Sequence, residues 1–165
     1  MRGFAVRGGP AFAKISAVIM PALLSIDFLL IAACAWLAIG LAGILSPRNL
    51  FYISKLMFPL GALVGVLAGL TSLSFLGSTP ETAVLVIGLP GLPFHLRLDN
   101  LAAVFVLLLG FASAGISVFA AGYFRKGEGT APGLMCLQYH IFLASMLLVL
   151  LADDAYAFMV AWETM

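Results

Sequence analysis

The feature that most restricts this chain is a series of nearly uncharged apolar runs. Each is long enough to cross the roughly 30 Å of bilayer hydrocarbon, which takes about 20 helical residues. The first is "LLSIDFLLIAACAWLAIGLAGIL" (23–45), and others lie at about 56–76, 99–122 and 134–152. Lipid offers no water to backbone amides, so a run of this kind satisfies them internally, as a helix. A soluble domain does not accommodate these runs in a chain of 165 residues that is 64% hydrophobic and only 9% charged. The predicted class is all-α: a polytopic transmembrane protein with four complete spans and the start of a fifth.

Between spans two and three the pattern changes. In "TAVLVIGLPGLPFHLRL" (82–98), Leu92, Phe94, Leu96 and Leu98 alternate with Pro93, His95 and Arg97, which predicts a short β-hairpin. A lone strand pair would leave unpaired backbone edges in lipid, so the hairpin lies over the helix ends. "SPRNLFYISK" (46–55) and "YFRKGEGTAPG" (123–133) read as polar breaks, the first because Ser46-Pro47 ends a helix. Residues 1–22 form an N-terminal leader with Arg2, Arg7 and Lys14, and residues 23–165 form one helical unit. The apolar run behind the leader is too long for a cleaved signal, so it is expected to be retained. The pattern that restarts at Ala155 is too short at Met165 to span, and the chain is therefore expected to be truncated.

A net charge of +1 without basic blocks flanking aromatic platforms excludes nucleic acid as a partner. Cys34 and Cys136 lack CxxC spacing, so they suggest apolar packing rather than a disulfide framework, a metal or an iron–sulfur site. "GLPG" lacks the lysine and hydroxyl of a phosphate loop. No cofactor, metal or redox chemistry is therefore expected in this chain.

Gly61, Gly65 and Gly69 share one helix face at i,i+4, with Gly77 further along the stripe. Small residues so placed let a second backbone approach closely, from within this chain or from another subunit. Asp99 is expected to cap the third span. Asp153 and Asp154 end the fourth span and cap the helix after it. Arg48, Lys55, Arg125 and Lys126 fall on one side, against Arg97 and the three basic residues of the leader on the other. With Arg2 and Arg7 discounted because they sit away from the first span, the positive-inside rule places the first side in the cytoplasm, with the hairpin and Asp153-Asp154 outside.

Glu163 is the acid of interest. Nine residues beyond Asp154, at 1.5 Å per residue, it reaches about 13 Å into a fifth helix. A carboxylate at that depth pairs with a base, sits beside ordered water or keeps its proton, and each option makes it a proton stop. The other reading is a solvated tail with Trp162 as an interface anchor. No Lys or Arg lies inside the four runs to serve as partner. His140, early in the fourth span, is either a proton relay or a helix-entrance or interhelical hydrogen-bonding group. Asp27 suits the membrane interface, and Glu81 and Glu128 read as loop charges.

"GLPGLPFHLRLDNLAAVFVLLLG" (88–110) and "FLASMLLVLLADDAYAFMVAWETM" (142–165) together resemble the N-terminal part of the antiporter-like proton-pumping membrane subunits. These are shared by respiratory complex I, cation/proton antiporters of the Mrp type and group 4 nickel–iron hydrogenases. The wording is nearest to the hydrogenase-4 component B / formate hydrogenlyase subunit 3 branch. The resemblance implies a subunit of fourteen or more helices, of which this chain supplies the first four, the hairpin and the start of the fifth. It implies a multi-pass protein of a bacterial or archaeal cell membrane, partnered by other membrane subunits of a hydrogenase or complex I-like assembly. The family's fifth-helix glutamate, coupled to a lysine on a later helix, falls on Glu163. Asn100 and Thr164 depart from the family's usual "LDPL" and "WELM". The implied function is redox-driven proton or cation translocation. The alternative is a non-transporting assembly module packing through the Gly61/Gly65/Gly69 face.

Overall fold

The computed structural model describes residues 24–89, 91–124 and 130–165. The leader 1–22, Arg125, Lys126 and Glu128 lie outside the described residues. The chain is mostly helical: α1 (Ser25–Ile44), α2 (Leu50–Phe75), α3 (Asn100–Tyr123), α4 (Pro132–Leu151) and a short α5 (Ala155–Glu163). The first four are long and apolar enough to cross a membrane. Strands β1 (Glu81–Leu89) and β2 (Leu92–Leu98) form the antiparallel hairpin, pairing Glu81 with Leu98 at its open end. All-α architecture with one hairpin therefore holds.

The second span differs from its expected start. It begins at Leu50, so only Leu45–Asn49 serve as the break, and Lys55 lies within the helix. Asn49 starts it by accepting from the Tyr52 amide at 3.2 Å. Ile53–Met57 is π-helical, with the Phe58 amide reaching Ile53 O. The next residue is Pro59, which has no amide to donate to Lys55; a wider turn just before a proline accommodates that missing bond.

The far end of α2 differs as well. The helix stops at Phe75, so Gly77 does not extend the glycine stripe. It turns the chain at φ 88°, where a side chain is strained, and donates to Asn100 Oδ1 at 2.9 Å.

The helices alternate in direction, so their ends gather in two groups. At one end the Gly133 amide bonds Pro47 O at 2.9 Å, joining the α1–α2 loop to the start of α4. At the other the hairpin covers the helix ends, burying Leu96 and Leu98 beneath it and leaving His95 and Arg97 outside. The main core runs between α1, α3, α4 and β2 through Trp36, Ile26, Leu29, Val106, Leu147 and Leu151. Most other large apolar side chains face outward, as a lipid solvent permits.

Candidate functional site

Two polar constellations stand out: a buried one at the α1–α2–α4 contact and a surface one at the junction of β2, α4 and α5.

His140 is fully buried on α4. Its Nδ1 lies 2.7 Å from Cys136 O. A carbonyl only accepts, so Nδ1 carries the hydrogen and Nε2 is left as a bare acceptor. Among the described residues Nε2 has no hydrogen-bond partner. The bond His140 does make is therefore within its own helix, not the interhelical one considered from sequence. Nε2 faces Gly61, where any Cβ would overlap it, and Gly61 O accepts from Trp36 Nε1 at 3.2 Å. Phe58 and Tyr139 close the pocket, their ring centroids 5.9 and 5.2 Å from the imidazole.

The other two glycines of the stripe meet α3. A Cβ on Gly65 would overlap Ser113 Oγ and lie 2.8 Å from Gly110 O, while Gly69 lies against Phe111. The stripe is thus occupied inside this chain, on two different helices, and is not open to another subunit. Gly110 is the reciprocal small residue, its ideal Cβ 2.6 Å from Gly65 O. It carries no signal in sequence, because Gly110, Gly115 and Gly122 of α3 are spaced by five and seven residues and form no i,i+4 stripe. Along the same interior Tyr139 donates to Ser113 O at 2.9 Å and stands 3.2 Å from Ser117 Oγ.

The acids at the hairpin end divide their roles. Asp99 accepts from the Ala102 amide at 2.8 Å and Asp154 from the Ala157 amide at 2.7 Å, capping α3 and α5. Asp153 caps nothing with its side chain: its amide donates to His95 O at 2.9 Å and its carboxylate sits 3.7 Å from Arg97. It lies one residue too far from the first turn of α5. Asp154 also accepts from the His95 amide at 2.9 Å, with His95 Nδ1 at 3.1 Å. The Ala157 amide first, then that of His95, holds its carboxyl below the ordinary carboxylate range. Glu81 is more than a loop charge, since its Oε2 accepts from the Ile26 amide at 2.9 Å and pins β1 to the start of α1. Asp27 turns back to accept from the Leu24 amide at 3.0 Å.

Glu163 ends α5, whose Ala157 and Ala161 are buried while Trp162 and Glu163 are exposed. Thr164 Oγ1 lies 3.1 Å from Ser145 Oγ of α4. Ser145 stands six residues before Leu151, about 9 Å along the helix from its end. The end of α5 is thereby held beside the body of α4, with Glu163 on its outward side. Among the described residues Glu163 forms no ion pair, and no three His, Cys, Asp or Glu side chains are grouped to hold a metal.

No protein-family profile matches the chain. It is similar to hydrogenase-4 component B of Escherichia coli (strain K12), 36% identical over 70 residues. That segment is 42% of this chain and 10% of the relative, so the chain matches only a small part of that protein's length. Its four helices long and apolar enough to cross a bilayer mark a multi-pass membrane protein.

Proposed function

We propose that this chain works as the N-terminal helical part of an antiporter-like subunit in a redox-driven proton- or cation-translocating complex of the hydrogenase-4 type. The observation that carries the reading is the 36% identity to hydrogenase-4 component B. Other membrane subunits of a hydrogenase-like assembly, in a bacterial or archaeal inner membrane, are the partners this reading requires. Electron transfer belongs to those partners.

Within the reading Glu163 is the proton-exchanging carboxylate. It leaves the bundle on the side of α5 opposite Ala157 and Ala161. An ionised carboxylate facing hydrocarbon costs several kcal/mol, so it needs a cation from an element packed on that side or else keeps its proton. Approach of a basic side chain favours the anion and releases the proton; withdrawal favours uptake. Alternation between the two states moves charge in step with the partner's motion. His140 is a second acceptor in this reading, its Nε2 without a hydrogen-bond partner among the described residues.

The rival reading, an assembly module docking through Gly61, Gly65 and Gly69, loses its free surface because α3 and α4 of this chain already cover that stripe. The test is Glu163→Gln in the complete complex, with ion movement and electron transfer measured together. Electron transfer with pumping abolished is the expected result. An unchanged ion-to-electron ratio overturns the role.

A further inference from the structure

A groove of about 390 Å³ opens at the hairpin end between α3, α4 and α5 and takes no part in the reading above. Its wall is apolar: Leu101 and Phe105 from α3, Val149 and Leu150 from α4, and Phe158 from α5. Its rim is charged, with Arg97 between Asp99 and Asp153. The rim stands at the first residues of α3 and just past the end of α4, and Phe105 lies six residues, about 9 Å, below Asp99. Charge at the helix ends above an apolar channel along the helices is the polarity of a membrane lipid.

The rim also distinguishes among headgroups. Arg97 contacts Asp99 at 3.4 Å and Asp153 at 3.7 Å. Both are long against the roughly 2.7–2.9 Å of a tight charge-assisted bond, so the five guanidinium N–H groups are not used up. One cation and two carboxylates leave the rim at −1. An anionic headgroup would add to that charge, and a simple cation would leave the guanidinium unused. A headgroup carrying phosphate and ammonium side by side gives each charge a partner, phosphate on Arg97 and ammonium on Asp153. Asp99 is already engaged by the Ala102 amide. A quaternary ammonium has no N–H to donate to a carboxylate, whereas a primary ammonium has three.

We propose that this groove binds a phospholipid with a primary-ammonium headgroup, of the phosphatidylethanolamine class, its acyl chain lying against Leu101, Phe105 and Phe158. The 165-residue chain is reconstituted in nanodiscs of equal phosphatidylethanolamine and phosphatidylcholine, and the lipid retained after release is weighed by native mass spectrometry. Preferential retention of phosphatidylethanolamine is expected. Asp153→Asn lowers that preference roughly tenfold, whereas Arg97→Gln removes the partner of the phosphate that both headgroups carry and lowers retention of both lipids. Leu101, 67% exposed, offers a change that spares the core: Leu101→Trp fills the groove and lowers retention of both lipids. Circular dichroism checks folding, and Asp153→Asn with Leu101→Trp decide the matter if Arg97→Gln unfolds. Equal retention of the two lipids overturns the proposal, as does preference for phosphatidylcholine. Retention indifferent to Asp153→Asn and Leu101→Trp overturns it too, and so does crosslinking that finds a protein helix seated in the groove of the complete assembly.

Discussion

At Gly61 one missing methyl group decides whether α2 and α4 can meet. The His140 imidazole occupies the space where a Cβ would stand, so Gly61→Ala is expected to destabilise by about 1–3 kcal/mol. In a His140→Ala background the same change should be neutral or stabilising, since the overlap is gone and alanine is the better helix former. Thermal unfolding of the four variants in detergent checks both. Asp154 offers a different lever. Its carboxyl is held low by amides that exist only in the folded chain, so it contributes stability in full above the unfolded value of about 3.9. That contribution is lost as pH falls through the lower folded value. Protection of the His95 amide, relative to an unfolded amide at the same pH, is expected to fall over that acid range, and Asp154→Asn should flatten the dependence. Capping by Asp99 and Asp154 was legible because it is local, three residues from acid to amide. The partner of Gly61 was not, because nothing in the text of α2 says which side chain of α4 will face it.

Among the elements, the α2–α3 seam rests on backbones in contact. The ideal Cβ of Gly110 would fall 2.6 Å from Gly65 O and 2.7 Å from Gly69 N, and neither can move aside as a side chain can. Gly110→Ala is therefore expected to lower stability by about 2 kcal/mol or more. Gly115, on the same helix, has nothing within 4 Å, so Gly115→Ala should be tolerated or gain up to about 1 kcal/mol from helix propensity. Parallel melts of the two variants separate packing from propensity. The spans themselves were readable because lipid forces every backbone group into a helix, and hydropathy reports that directly. The hairpin was readable from its period of two. The early start of α2 was hidden: Arg48, Asn49 and Lys55 look like a loop by composition, yet Asn49 caps a helix whose π turn carries it past Pro59.

Over the whole molecule, the helix ends fall into two layers, and the distribution of Arg48 and Lys55 against the hairpin proposes which layer is cytoplasmic. With Cys34 and Cys136 replaced by alanine, a membrane-impermeant maleimide added outside intact cells should label Thr82→Cys and spare Ser46→Cys. The reverse pattern would invert the orientation. Sequence reached the two layers but not their wiring. Packing of α1 depends on shape complementarity between distant residues, such as Gly43 with Cys136 and Gly133, which no local pattern encodes.

That wiring has a consequence for how the protein is made. Helix α1 packs chiefly on α4 rather than on its neighbour in sequence, and Leu147 and Leu151 of α4 share a core with Ile26, Leu29 and Trp36. Once it has left the ribosome, α1 therefore waits in the bilayer, its future core face against lipid, through the synthesis of nearly ninety further residues. Insertion and maturation become separate events, and an early segment left waiting this long is one on which a membrane insertase or chaperone has time to act.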